Sequence, residues 1–253
     1  TTIFDRNQTY TGLTSIASGA TLQLGNGAGA GTIATDVANN GTLVFNRSDN
    51  TTFASMITGT GSVTKTGAGS LVLSASNTYS GGTRVDGGRL SVAANGALGN
   101  GPVTVNAALD FQSGVDAGTL SITNRNGYTT FLGASTAASA VITNYNASGT
   151  DFWGTSQGGT ATITNNDASF TNFRENTSAG NARIANNGGA TFFYQSGSAG
   201  HAVIDNNAGM AYFTDDSSAG SATITNRNGG LSLFVGNSMA DRAILVNEAT
   251  GRV

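Results

Sequence analysis

The chain has 253 residues, with 37 glycines, one proline, no cysteine, a hydrophobic fraction of 38% and a formal net charge of −3. These values exclude a disordered tail, which needs low hydrophobicity with high charge or abundant proline, and the missing cysteines exclude disulfides and thiolate metal sites. With 11 basic residues and an isoelectric point near 4.9 there is no basic footprint for nucleic acid, and no apolar run reaches the length of a membrane-spanning helix.

The sequence opens on Thr1 without a basic stretch and an apolar segment, so any targeting segment is expected to have been removed or to lie outside these residues. Short Φ-x-Φ strands follow, with Leu22, Leu43, Leu90 and Leu109 in the middle of TLQL, TLVF, RLSV and ALDF. Their steps of 19 to 21 residues lie on either side of one larger gap, in which Val63 and Leu71 fall. Each segment is bounded by N-G, G-G or S-G and is too short and too rich in Gly, Thr and Asn for a helix; the alternation reads as strand.

From residue 112 onward the period tightens. Ile122, Ile142, Ile163, Ile184, Ile204, Ile224 and Ile244 recur every 20 or 21 residues. Asn124, Asn144, Asn165, Asn186, Asn206 and Asn226 each stand two places after an isoleucine, and in the last repeat the asparagine stands three places on, at Asn247. Phe131, Phe152, Phe173, Phe193, Phe213 and Phe234 keep the same beat. Short strands at a period near 20 with no helix between them predict an all-β fold, a parallel β-helix of roughly twelve coils. A leucine-rich repeat would need L-x-x-L-x-L-x-x-N, which is absent. The Ile and Phe series are expected to form stacked core columns, and the Asn series a hydrogen-bonded ladder that satisfies corner backbone. Residues 1–111 and 112–253 are read as two stretches of one continuous solenoid.

The segment GTGSVTKTGAGSLVLSASNTYSGGTRVDGGRLSV (59–92) resembles the passenger-associated, autotransporter-associated β-strand repeat of bacterial autotransporters. An imperfect second copy stands upstream as NQTYTGLTSIASGATLQLGNGAGAG (7–31), where Thr9-Tyr10-Thr11-Gly12 matches Thr78-Tyr79-Ser80-Gly81 and Leu22-Gln23-Leu24 matches Leu90-Ser91-Val92. VANNGTLVFNRSDNTTFASMITGTG (37–61) is similar to the same family, and 112–253 resembles other passenger repeats more loosely. The resemblance implies a right-handed parallel β-helix, secreted through the outer membrane of a Gram-negative bacterium and displayed or released. It further implies a C-terminal β-barrel translocator in the parent chain. Since EATGRV ends the sequence without lipid-facing strands, a longer parent chain is expected, and no direct membrane insertion of these residues. The family also carries protease or esterase domains in some parent chains.

Motifs for chemistry are sparse. Gly154-Thr155-Ser156-Gln157-Gly158 fits G-x-S-x-G, but a nucleophile elbow needs a helix after the serine and a histidine base, and the single histidine, His201, is more than two coils away. Ser62-Val63-Thr64-Lys65 fits S-x-x-K on a segment that reads as strand. Gly25, Gly27, Gly29 and Gly31 and the GTGSVTKT segment evoke phosphate loops, yet Thr64 precedes Lys65 and no helix follows. The calcium nonapeptide is absent too, so no cofactor and no metal are expected. Trp153, next to Phe152, is expected on the outer face, where an exposed Trp can stack on sugar; with no second tryptophan aligned in the array it reads as a local patch. Glu175 and Asp215 are weak catalytic candidates: they share with Gln195 the place two residues after a core phenylalanine, about 9–10 Å apart across two coils, near the upper end of the carboxyl separation in an inverting glycosidase.

Three functions follow from this reading. The first is a non-catalytic structural stalk or adhesin-type β-helix, secreted or at the cell surface. The second is an enzyme on polysaccharide, which would concentrate acids and bases on one sheet. The third is a module that binds host glycan or a surface protein, or a second copy of itself through a low-charge face.

Overall fold

The computed structural model describes residues 1–253, and every regular element in it is a strand. The chain divides into two units, Thr1–Phe111 and Gln112–Val253, and in each the strand pairing is parallel between segments about one coil apart. The fold is an all-β parallel solenoid, as the periodicity predicts.

In unit 1 one sheet pairs Thr2–Phe4, Thr21–Leu24, Thr42–Phe45, Ser62–Lys65, Thr83–Val85 and Val103–Val105. A second pairs Thr51–Phe53, Ser70–Leu73, Arg89–Val92 and Ala108–Phe111, and a third pairs Thr14–Ile16, Val37–Asn39 and Ile57–Thr58. The leucine series of the sequence is therefore two series. Leu22 and Leu43 stack with Val63 in the first sheet, whereas Leu90 and Leu109 stack with Leu71 in the second. The larger gap in the period marks the change of sheet. The matched motif copies shift in the same way: Thr14–Ile16 lies in the third sheet and its counterpart Thr83–Val85 in the first, and Leu22–Leu24 lies in the first and Leu90–Val92 in the second. At 20 or 21 residues per coil, the step from Tyr10 to Tyr79 is three coils and about a third, which turns the second copy by one face of the coil.

The first sheet's inner column reads Leu24, Phe45, Lys65, Val85, Val105. Lys65 thus lies inside an apolar column and is 2% exposed. Its Nζ donates to the backbone carbonyl of Gly67 and, at 3.1 Å, to that of Gly87, and burial pushes the ammonium pKa below its ordinary value. Arg47 is buried as well, donating to Gly29 O at 3.0 Å and to both carboxylate oxygens of Asp49 at 2.9 and 2.7 Å.

In unit 2, strands carrying Ile122, Ile142, Ile163, Ile184, Ile204 and Ile224 align in one sheet, and strands carrying Phe152, Phe173, Phe193, Phe213 and Phe234 align in the other, with Phe131 paired to Phe152. Consecutive phenylalanine rings stack with centroids 4.6–5.1 Å apart and planes within 8°, the spacing that parallel strands impose. A third side has isolated parallel bridges from Asp116 through Thr136, Gln157, Ser178, Ser198 and Ser218 to Met239, over buried alanines such as Ala179, Ala182, Ala199 and Ala202. Corners turn through left-handed residues, among them Gly133, Gly154, Glu175, Gln195, Asp215 and Gly236, with φ of 55–76°, a conformation glycine adopts without penalty and other residues hold only when their surroundings fix it.

One expected column member is displaced. Ile224 pairs with Leu245, not Ile244, and Asn226 pairs with Asn247. Ile244 is 61% exposed. The asparagine keeps register in the last coil and the isoleucine does not, because the inward position is fixed at two places before the asparagine and leucine stands there.

Candidate functional site

The asparagines of unit 2 lie where the isoleucine strands meet the next corner, and all six are fully buried. Each Nδ2 donates to the Oδ1 of the asparagine one coil on: Asn124 to Asn144 at 2.7 Å, then Asn165, Asn186, Asn206, Asn226 and Asn247 at 2.7–2.9 Å. The second amide hydrogen goes to a backbone carbonyl of the following coil, as from Asn186 to Met210 O at 3.0 Å. Five of the six Oδ1 atoms also accept from a buried hydroxyl of their own coil: Thr129, Thr150, Thr171, Thr191 and Ser232 donate to Asn124, Asn144, Asn165, Asn186 and Asn226 at 2.8–3.2 Å, while Ala211 stands at that place beside Asn206. In Asn144, Asn165, Asn186 and Asn226 both amide hydrogens and both lone pairs of the carbonyl oxygen are engaged. The hydroxyl column is missing from the reading of the sequence, although its signal is there: Thr or Ser two places before five of the six phenylalanines. An exposed second row also escaped it, with Asn187 Nδ2 on Asn166 Oδ1, Asn207 on Asn187 and Asn228 on Asn207 at 3.3, 3.3 and 2.7 Å.

The carboxylates of Glu175 and Asp215 are brought onto one corner line with Gln195 between them. Glu175 Oε2 accepts from the backbone N–H of Gly154, Gln195 Oε1 from that of Glu175, and Asp215 Oδ2 from that of Gln195, each at 2.8 Å. Each side chain reaches back one coil to hold the corner before it, which ties down Gly154 and the two non-glycine residues Glu175 and Gln195 in the left-handed region. An inverting pair needs a water between its carboxylates; here the Gln195 side chain stands between them.

The other motifs are scattered. Ser156 is buried, its hydroxyl meets no protein acceptor, and it lies in a turn closed by its own N–H on Trp153 O. His201 is exposed on a different coil. Along the strand Ser62–Lys65 the lysine points inward and the serine outward, as positions three apart on a strand must. No group of three or more His, Cys, Asp and Glu residues lies close enough to hold a metal ion.

The outer face of the phenylalanine sheet differs from the expectation. Trp153 is 37% exposed, and it is not isolated. The Arg174 guanidinium lies 4.9 Å from the Trp153 ring centroid and 4.7 Å from that of Tyr194. Tyr194 in turn stacks on Phe192 at 5.8 Å, and Phe192 meets Tyr212 edge-on at 6.0 Å. Beside them Asn172 Nδ2 donates to Asp151 Oδ1 at 2.6 Å, and Arg174 Nε pairs with the same oxygen at 3.5 Å. Burial pushes the Tyr194 phenol up, so it is neutral and able to donate. An aligned aromatic patch therefore exists in two adjoining rows: Trp153, Arg174 and Tyr194 stand one place after the core phenylalanines, and Phe192 and Tyr212 one place before them. A search for a second tryptophan in register misses it because the residue type changes from coil to coil.

Comparison with known proteins adds three findings. The family described as Passenger-associated-transport-repeat matches residues 1–24 and 63–92, two stretches that end on the matched strands Leu22–Leu24 and Leu90–Val92. Over 180 residues, 57% of this chain, the sequence is 33% identical to "Adhesin BmaC autotransporter" of Brucella suis biovar 1 (strain 1330). The chain spans 5% of that relative's length. No solved structure matches. The chain thus carries two passenger-associated-transport-repeat matches on a parallel solenoid and is similar over 57% of its length to an autotransporter adhesin.

Proposed function

We propose that this chain is a non-catalytic, adhesin-type part of its passenger, an extended surface for attachment, followed in its parent chain by a β-barrel translocator. The observation that carries the reading is the corner line: the only acids aligned as a candidate catalytic pair, Glu175 and Asp215, are each bonded to a backbone N–H, with Gln195 filling the place between. One oxygen of each carboxylate is spent in holding a turn, and the Gln195 side chain takes the place that a water between an inverting pair would need. The relative's description as an adhesin points the same way.

The test is direct. Beads coated with the 253-residue chain are expected to attach to host cells above uncoated beads, and the soluble chain to release no reducing ends from a panel of polysaccharides. Cleavage that disappears in Glu175→Gln would overturn the reading.

A further inference from the structure

The aromatic row on the outer phenylalanine sheet has no part in holding the core together. Its members alternate out from Phe152, Phe173, Phe193 and Phe213, and Asp151, Asn172, Phe192 and Tyr212 are direct cross-strand neighbours. We propose that Trp153, Arg174, Tyr194, Phe192 and Tyr212, with Asp151 held in place by the buried Asn172, form a binding platform for an uncharged oligosaccharide. This rests on the adhesive reading and gives it a site and a ligand class.

Three observations select that chemistry. First, the row joins aromatic rings to a planar guanidinium, a carboxylate and a carboxamide within one patch. The electron-rich ring faces attract polarised C–H groups, which pyranose rings present on their faces, while their hydroxyls match the donors of Arg174 and the acceptors of Asp151. An apolar protein partner would desolvate those polar groups without replacing their bonds, at a cost. Second, the charge is wrong for an anion. Arg174 is the row's one cation and is already paired with Asp151, and the adjoining corner carries Glu175, Asp215 and Asp216, so sialylated, sulfated or uronate chains meet a repulsive rim. Third, the row runs over three strand steps from Trp153 to Tyr212, about 14 Å, which suits several linked sugars in preference to one.

Trp153 is the single tryptophan of the chain, so its emission reports on this site alone. The 253-residue chain is titrated with neutral gluco-, galacto- and N-acetylglucosamine oligosaccharides, and with sialylated and sulfated ones, while Trp153 emission is followed. The expected result is a saturable spectral change with at least one neutral series and none with the anionic ones. Affinity for that series falls at least tenfold in Tyr212→Ala and in Arg174→Gln, and a glycan array with Trp153→Ala shows the same loss. Circular dichroism of each variant checks that the solenoid is intact, and Tyr212→Phe, which keeps the ring, retains most of the binding. Silence of Trp153 toward every neutral oligosaccharide overturns the platform, as does a response to anionic glycans only. A change in emission that tracks protein concentration without sugar overturns it in favour of a second copy as occupant. If coated beads still attach to cells after Trp153→Ala and Tyr212→Ala, the platform is wrong while the adhesive function stands. If wild-type beads do not attach, the adhesive function fails as well.

Discussion

Unit 1 and unit 2 use coils of nearly the same length, yet they treat polar atoms in the interior in opposite ways. Unit 1 buries them singly: Asn39 donates to Ser62 O at 2.8 Å, Asn77 accepts from Ile57 N at 2.8 Å and donates to Ala97 O at 2.6 Å, and Lys65 and Arg47 reach corner carbonyls. Each is a local solution, so the residue type changes from coil to coil and the core mixes Leu, Val, Phe and Lys. Unit 2 places one asparagine at the same point of every coil, so that each amide is both donor and acceptor to identical neighbours and one solution propagates. A repeated amide fixes the register of the whole array, since a slip of one residue would unpair every rung. The isolated residues of unit 1 constrain only their own corner. This difference explains why the sequence period is loose in unit 1 and strict in unit 2.

Substitutions can break this contrast, and the core column comes first. Phe173→Ala removes a ring stacked on both sides and is expected to destabilise unit 2 by about 3–5 kcal/mol, read as a shift of the denaturant midpoint. Next, Asn186→Ala breaks two rungs, one backbone bond and the bond from Thr191. It should cost about 2–3 kcal/mol, most of it from buried partners left unpaired, and leave oligosaccharide binding unchanged. Unchanged thermal stability would mean that the ladder is an accident of spacing.

The motif copies of unit 1 allow a smaller and sharper test. Tyr79 is fully buried, with its hydroxyl 2.5 Å from Thr83 Oγ1, and the next coil lies over it: Asn100 N donates to Tyr79 O, and a side chain at Gly99 would meet the ring. Tyr10 makes the matching bond to Thr14 at 2.7 Å but is 39% exposed, beside an open depression of about 440 Å³ lined by residues from Gln8 to Asp36. Tyr79→Phe should cost about 1 kcal/mol at neutral pH, and Tyr10→Phe only a few tenths. Burial raises the Tyr79 pKa above its ordinary value of 10. Its stabilising share is therefore complete below pH 10 and is lost as pH climbs through the raised value, because the unfolded phenol gives up its proton first. Melts of Tyr79→Phe against wild type above pH 10 should show a smaller alkaline loss in the variant, and parallel curves would refute the assignment.

The smallest effect concerns a column of hydroxyls in unit 2 that the array leaves unpaired. Ser135, Ser156, Thr177 and Ser217 hold buried hydroxyls that meet no protein partner. Ser156→Ala is expected to be neutral or stabilising by a few tenths of a kcal/mol, since removing an unpaired hydroxyl forfeits no protein bond. A loss above about 1 kcal/mol would show that the hydroxyl is bonded in solution.

Inward positions were the legible ones. Water exclusion demands a similar side chain at the same point of each coil, so Ile, Asn and Phe repeat and can be counted without a structure. Counting failed where the inward residue changed type, as at Leu245, and where two sheets share one period, as with Leu43 and Leu90. Outward positions carry no such demand. Trp153, Arg174 and Tyr194 have nothing in common as letters, and only the fixed strand register brings them into one row. The paired acids were visible as a column, but their bonds to corner N–H groups depend on a left-handed backbone that spacing does not reveal.

The sequence by itself determined the parallel solenoid, the coil length and the asparagine ladder, because each follows from one residue type repeating at one interval and from amides that must find partners inside. The tertiary structure decided which face of the coil each motif copy occupies, what the carboxylates of Glu175 and Asp215 do, and which unlike side chains meet on the outer surface. The reason is geometric: repetition along the chain fixes what lies above and below a residue, whereas the pitch of each coil and the twist of its corners fix what lies beside it.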